Sequence, residues 1–251
     1  MTAGGLPAGV RLRPAGDAGV YVELSPGGEP APARVLALWR ELNRRPLPGM
    51  VSAVPGYTSV LVTWDPDRAD PEAVQAELAR RLARLPSRPR LPAGRLVVLP
   101  VVYGGPFGPD LEAVARHCGL SPEEVVRLHS RATYRVWLVG FLPGYVYLGP
   151  LDRRLWTPRR ATPRVRVPAG SVGIGGSQTG IYSVESPGGW HLLGRTWIRL
   201  WDPERPEPAL LRPGDRVRLQ PVAARQAPAA WLEQAGLADG EAGGLREAAG
   251  A

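Results

Sequence analysis

The chain has 251 residues and a formal charge of +8, and all 31 of its basic residues are arginine. Without lysine it can build neither a Walker A phosphate loop nor a Schiff-base nucleophile, and with Cys118 as its one cysteine neither an intrachain disulfide nor a thiolate zinc cluster. No apolar run nears the ~20 residues that span a bilayer, and Met1 to Pro14 lacks the apolar core of a signal peptide, so a soluble, cytoplasmic protein with no membrane partner is expected.

In chain order, Val20 to Leu24 reads as a strand and Pro26 to Pro32 as a turn. Val35, Leu38, Trp39 and Leu42 fall at helical spacing, in a helix ending near Arg45 and Pro46. Val51 to Val54 and Ser59 to Thr63 read as two strands around a Pro55-Gly56 turn. Asp70-Pro71-Glu72 opens a helix with an N-cap acid and a first-turn proline, and Val74, Leu78, Leu82 and Leu85 line its buried face. Leu96 to Tyr103 is a further strand, with Pro100 pointing to an edge or bulge. The order β-α-β-β-α-β over residues 18 to about 100 is the ferredoxin-like pattern. Pro86 to Ala93 reads as a linker, and the strand after it fits either side.

Asp110 to Cys118 predicts a short helix, and Ser121-Pro122-Glu123-Glu124 is a capping box for another running through His129. From Tyr134 onward short strands recur: Tyr134 to Val139, Val165 to Val167, Ser171 to Ile174, Trp190 to Leu193, Thr196 to Trp201 and Arg216 to Leu219. Such spacing suggests a β-barrel or sandwich. After Gln220 the chain is rich in alanine and glycine. Trp231-Leu232 can start a short helix, and the last dozen residues read as a disordered tail.

The candidate chemistry concentrates between Gly140 and Asp202. Gly170 to Gly180 (GSVGIGGSQTG), with Ser171, Gln178 and Thr179 inside it, reads either as an anion-cradling loop or as a glycine-mediated barrel turn. Glu185-Ser186 sets a carboxylate and a hydroxyl beside a forced turn, able to orient or activate a substrate. Arg159, Arg160 and Arg195 have the geometry to clamp a carboxylate or phosphate, or are surface arginines of an arginine-rich chain. Arg195, between two apolar runs, is the least solvated of the three. Tyr145, in the aromatic segment Gly140 to Leu148, and Tyr182 are further binding candidates, though that segment reads equally as core. His117, His129 and His191 show no metal-ligand spacing, so no metal site is expected, and His191 is the best placed for acid-base work. No basic helix, helix-turn-helix or zinc finger supports nucleic-acid binding.

Five segments in order resemble the 5-oxoprolinase B-subunit group, also called allophanate hydrolase subunit 1 or the KipI family: Tyr103 to Leu120, Gly140 to Leu151, Thr157 to Gly176, Gln178 to Thr196 and Ala209 to Leu219. GDAGVYVEL and VPGYTSVLVTWDP match more loosely. The resemblance implies an α+β chain with a ferredoxin-like domain (residues 1–92) and a cyclophilin-like β-barrel domain (93–222), and composition marks the remainder as an alanine/glycine-rich tail (223–251). It implies an obligate subunit, inactive alone, that acts with A and C subunits in the ATP-dependent opening of 5-oxoproline to glutamate, with Mg2+ accompanying ATP. Relatives form part of biotin-dependent carboxyltransferases, and one branch inhibits a sensor histidine kinase, so these stand as alternatives. Carried over residue by residue, it favours Arg159, Arg160, Gln178, Thr179, Glu185, Ser186 and Arg195 as site-lining. Leu142 and His191 depart from the family's usual residues, so no role passes to His191.

Overall fold

A computed structural model describes residues 6–24 and 31–234. It divides into two compact units, Met1–Ala93 and Gly94–Ala251. The final dozen residues and most of the Pro26 to Pro32 turn lie outside the described residues. Among those described, no helix is long and apolar enough to cross a membrane.

The first unit runs β1 (Val10–Pro14), β2 (Gly19–Leu24), α1 (Pro32–Arg44), β3 (Met50–Pro55), β4 (Ser59–Trp64) and α2 (Pro71–Arg84). Its four strands form one antiparallel sheet in the order β1-β2-β4-β3. Alternation in β2 and β4 turns Val20, Val22, Leu24, Val60 and Val62 to one face, where they meet Val35, Leu38 and Leu42 of α1 and Val74, Leu78 and Leu82 of α2. Asp70 caps α2 as its sequence suggests, accepting from the backbone N–H groups of Glu72 and Ala73 at 3.2 and 3.3 Å. β1 is short, and its apolar alternation is limited to Val10 and Leu12 between arginines. Leu96–Tyr103, the strand that fits either side of the linker, is not in this sheet.

That strand, β5 (Leu96–Tyr103), opens the second unit. It is followed by α3 (Leu111–Cys118), α4 (Pro122–Ser130), β6 (Thr133–Val139), β7 (Val146–Gly149), β8 (Arg164–Val167), β9 (Ser171–Gly175), β10 (Gln178–Ile181), β11 (Ser186–Gly188), β12 (His191–Arg195), β13 (Arg216–Pro221) and α5 (Ala229–Gln234). Seven strands close a barrel in the order β10-β7-β6-β13-β5-β12-β9, and β8 and β11 form a separate two-stranded ribbon. Leu99, Val101, Tyr134, Val136, Val146, Leu148, Val172, Ile181, Val217 and Leu219 form the barrel core. β5 pairs with β13 over Leu96 to Val101 but with β12 only at Val102 and Tyr103, so Pro100 meets an unpaired edge on one side. The capping box forms: Glu124 N–H donates to Ser121 Oγ at 3.1 Å, and Ser121 N–H to Glu124 Oε2 at 3.0 Å. α3 and α4 then pack with Ile174 and Leu193 of the barrel.

One expectation is corrected here. Thr196 to Trp201 is not a strand. The Ile198 N–H turns back to Thr196 Oγ1 at 3.2 Å, a local bond that ends β12, and Trp201 makes only an isolated bridge to Ala209. The short helix expected at Trp231-Leu232 forms as α5. Ala224, Ala227 and Leu232 are buried with Val102 and Phe107, and Trp231 stacks on Phe107 at 4.8 Å.

Candidate functional site

The Gly170 to Gly180 segment is a β-hairpin. β9 and β10 pair from Gln178↔Gly175 to Ile181↔Val172, leaving Gly176-Ser177 as a two-residue turn with φ +61° at Gly176, the positive φ that a primed hairpin turn requires at its first position. Its amides are committed: Gly170 N–H to Tyr182 O, Ser171 N–H to Pro168 O and Gly176 N–H to Thr157 O. The anion-cradle alternative therefore fails, since a cradle needs free, convergent N–H groups. The glycines instead make room for an indole. A Cβ on Gly175 would lie 2.8 Å from Trp190 Cδ1, one on Gly180 3.2 Å from Trp190 Cζ3, and one on Gly173 3.4 Å from Trp190 Cβ.

Trp190, seated on these glycines, packs with Tyr145, Tyr147 and Tyr182 in an aromatic cluster in which Trp190, Tyr145 and Tyr182 are buried and Tyr147 is partly exposed. Tyr145 stands edge-on to Tyr182 at 5.0 Å and to Trp190 at 6.0 Å, and Tyr147 lies 5.8 Å from Trp190. These separations suit the edge-to-face attraction of aromatic quadrupoles. Burial raises the Tyr145, Tyr147 and Tyr182 hydroxyls above their ordinary pKa, outweighing the opposing field of Arg159. All three are therefore hydroxyl donors at neutral pH and not bases. Phe141 extends the rim. It is 67% exposed, edge-on to Tyr145 at 5.6 Å, and holds φ +79°, strained for a residue other than glycine.

Two neighbouring arginines have different fates. Arg159 is exposed, its guanidinium carbon 6.0 Å from the Trp190 ring centroid, and among the described residues it has no carboxylate partner. Arg160 donates through Nη1 to Asp110 Oδ1 at 3.1 Å, and its Nε is buried without a partner. Asp110, 4% exposed, also takes both Nη groups of Arg164 at 2.8 Å and the Leu192 N–H at 2.7 Å. Desolvation works to raise its pKa, but these donors win and lower it. The sequence marked Asp110 only as a helix start; its partners lie 50 and 54 residues on.

The remaining candidates separate. Glu185 is exposed and pairs with Arg166 Nε at 2.7 Å, a surface contact of little stabilising value. Ser186 is buried and its Oγ donates to Pro187 O at 3.1 Å. Arg195 is half-buried: its Nε donates to Ala169 O at 2.8 Å, and its guanidinium lies 5.3 Å from the Trp231 ring centroid. Burial lowers its pKa, with Glu185 opposing. Position 170 is glycine for two reasons: its φ is +82°, and a Cβ there would strike Thr196 O at 2.0 Å. Ser171 donates to Pro168 O at 2.7 Å. Gln178 is half-buried at the hairpin turn. Of the candidates, then, Arg159, Tyr145, Gly180 and Tyr182 come together, while Glu185 and Arg195 share a second locality.

Thr179 lies elsewhere, in a buried chain that the sequence did not announce. Its hydroxyl donates to Gly173 O at 3.0 Å, so it accepts from His129 Nε2–H at 2.8 Å, and His129 Nδ1 then accepts from the Tyr103 hydroxyl at 2.8 Å. Burial drives the His129 pKa down to about 3, so the ring is neutral. His191 Nε2 donates to Pro158 O at 3.0 Å, which fixes its tautomer and leaves Nδ1 buried without a partner.

Comparison with known proteins identifies the family. The family model described as carboxyltransferase domain, subdomain C and D, matches residues 10–211. The chain is 48% identical over 209 residues to the 5-oxoprolinase B subunit of Escherichia coli O157:H7, covering 82% of this chain and 93% of that one. It is 41% identical over 187 residues to the 5-oxoprolinase B subunit of Bacillus subtilis, covering 70% and 78%. The crystal structure of TTHA0988 aligns with a TM-score of 0.69 at 40% identity over 87% of this chain, which spans 41% of that longer chain. The chain belongs to the carboxyltransferase domain C and D family, among the 5-oxoprolinase B subunits.

Proposed function

We propose that this chain is the B subunit of a cytoplasmic, ATP-dependent 5-oxoprolinase, a lactam hydrolase that opens 5-oxoproline to glutamate together with A and C subunits. In this reading the chain alone has no turnover. The observation that carries it is Arg159, without a carboxylate partner among the described residues, beside the cluster of Trp190, Tyr145, Tyr147 and Tyr182. 5-Oxoproline is a flat ring bearing one carboxylate. A guanidinium beside an aromatic floor suits both parts of it. The domain reading is likewise our own: a ferredoxin-like first unit, with β1 in the place of the missing last strand, and a cyclophilin-like barrel, divided near residue 93.

The roles follow from what each group has free. Arg159 binds the substrate carboxylate, and Tyr147, the partly exposed tyrosine of the group, donates toward its oxygens, while the buried Tyr145 and Tyr182 back Trp190. Gly180 and Gly170 let backbone and ring approach closely. Ser171, Thr179 and Ser186 commit their hydroxyls to carbonyls and hold the wall in shape, and Gln178 lies at its turn. Glu185, solvent-facing and paired through one oxygen with Arg166, has its other carboxylate oxygen to orient water or a partner's group. Arg195 fixes the 169–170 turn behind it. ATP supplies the driving force in the assembled complex. The paired Gly170 to Gly180 hairpin does not fit a phosphate.

Reconstitution tests this. ADP and glutamate should form only when this chain is mixed with its A and C partners, and equal turnover with the chain omitted would end the proposal. The family description favours one second reading, half of a biotin-dependent carboxyltransferase, which predicts biotin-dependent carboxyl transfer from the same mixture. Loss of autophosphorylation by a sensor histidine kinase on adding the chain alone would instead support the kinase-inhibitor alternative.

A further inference from the structure

We infer that Asp110 is the positioning residue of this site: it latches the segment carrying Arg159 so that the guanidinium stands over Trp190. The inference rests on the functional reading only for what Arg159 binds. Its geometric part stands by itself.

Asp110 precedes α3 and would ordinarily cap it, yet its side chain makes no capping bond. The carboxylate turns instead to receive Arg160, Arg164 and the Leu192 N–H, while the Asp110 N–H donates to Leu192 O at 3.1 Å. Two further bonds hold the same segment against β12 and its approach: Arg160 N–H to Gly189 O at 2.9 Å and His191 Nε2–H to Pro158 O at 3.0 Å. Arg159 lies between these fixed points, on a backbone held on both sides. One buried carboxylate facing two arginines also explains why Arg160 is no partner in the clamp. Removing the carboxylate leaves two half-buried guanidinium groups unpaired, and the segment between Pro158 and Arg164 loses its central tie.

The test uses the full chain labelled with 15N and reads the Trp190 indole N–H resonance, assigned by its absence in Trp190→Phe. Arg159→Ala moves this resonance by removing the nearby cation. Asp110→Asn, in a chain shown folded by circular dichroism, should move it in the same direction, and Asp110→Asn/Arg159→Ala should coincide with Arg159→Ala. If Asp110→Asn does not fold, Arg164→Gln carries the same prediction. A resonance left at its wild-type position, or additive shifts in the double variant, overturns the inference. In the assembled enzyme the Asp110→Asn subunit should raise KM about tenfold with kcat within about twofold, and a drop in kcat at constant KM also overturns it. Absence of wild-type turnover would defeat the functional reading while the resonance data still decide this one.

Discussion

Replacing Gly180 by alanine tests whether the glycines of the β9–β10 hairpin serve packing. A Cβ at 180 would sit 2.5 Å from Val146 O, 3.0 Å from the Tyr145 hydroxyl and 3.2 Å from Trp190 Cζ3. The first is a backbone atom of β7, which pairs with β10 at Gly180↔Tyr147 and Ile181↔Val146. Real Cβ atoms essentially never lie under 3.0 Å from such a neighbour, so the two strands must part by about half an ångström at a ladder hydrogen bond, with Trp190 moving as well. Overpacking of this kind costs roughly 1–3 kcal/mol, and displacement of backbone places Gly180→Ala near the top of that range. With a urea m-value of about 2–3 kcal/mol/M, the midpoint falls by about 1 M. Gly176→Ala is the control. It has open space and φ +61°, so only the left-handed backbone penalty of roughly 1–2 kcal/mol applies. Urea titration followed by near-ultraviolet circular dichroism measures both. A Gly180→Ala chain as stable as wild type, with its loss appearing in nucleotide affinity, would refute the packing account and restore the anion cradle.

Acid should destabilise the barrel through His129. Its folded pKa is about 3 against about 6.5 when unfolded, so between these values the unfolded chain binds the extra proton and stability falls as pH drops, by roughly 3 kcal/mol at pH 4. In His129→Gln the slope of stability between pH 6.5 and 4 should be shallower, and an unchanged slope would assign the effect to other groups. Trp231→Ala removes the ring over Arg195 and the stack on Phe107, and should lower stability by about 2–4 kcal/mol in thermal melts; an unaltered melting temperature would detach α5 from the barrel. Arg195→Ala and Glu185→Ala should each abolish turnover of the reconstituted complex while the isolated chain keeps its circular dichroism spectrum. Full turnover in both would remove that locality from the chemistry.

What was legible in the sequence was local. Asp70 and the Ser121/Glu124 pair announce their helices because the capping partners stand two or three residues away. The apolar alternation of β2, β4 and β6 is visible because valine and leucine recur at every second place. β10 is hidden because Gly180 has no side chain to show a period, and the reasons for that glycine lie far along the chain, in the Val146 carbonyl first and in Tyr145 and Trp190 after it. Thr196 to Trp201 has strand-like residues but ends at a side-chain bond from Thr196 that composition does not reveal. At the site, Arg159 and Arg160 are identical in sequence, and only Asp110, remote in the chain, separates a committed guanidinium from an available one.

The central claim, that Arg159 and the aromatic cluster form one wall of a shared active site, rests most directly on the kinetics of one variant. In a complex reconstituted with Arg159→Ala, loss of a charge-assisted contact of about 1.5–3 kcal/mol should raise the KM for 5-oxoproline by roughly 10- to 100-fold, with assembly of the complex unaffected. A KM and kcat equal to wild type would contradict it.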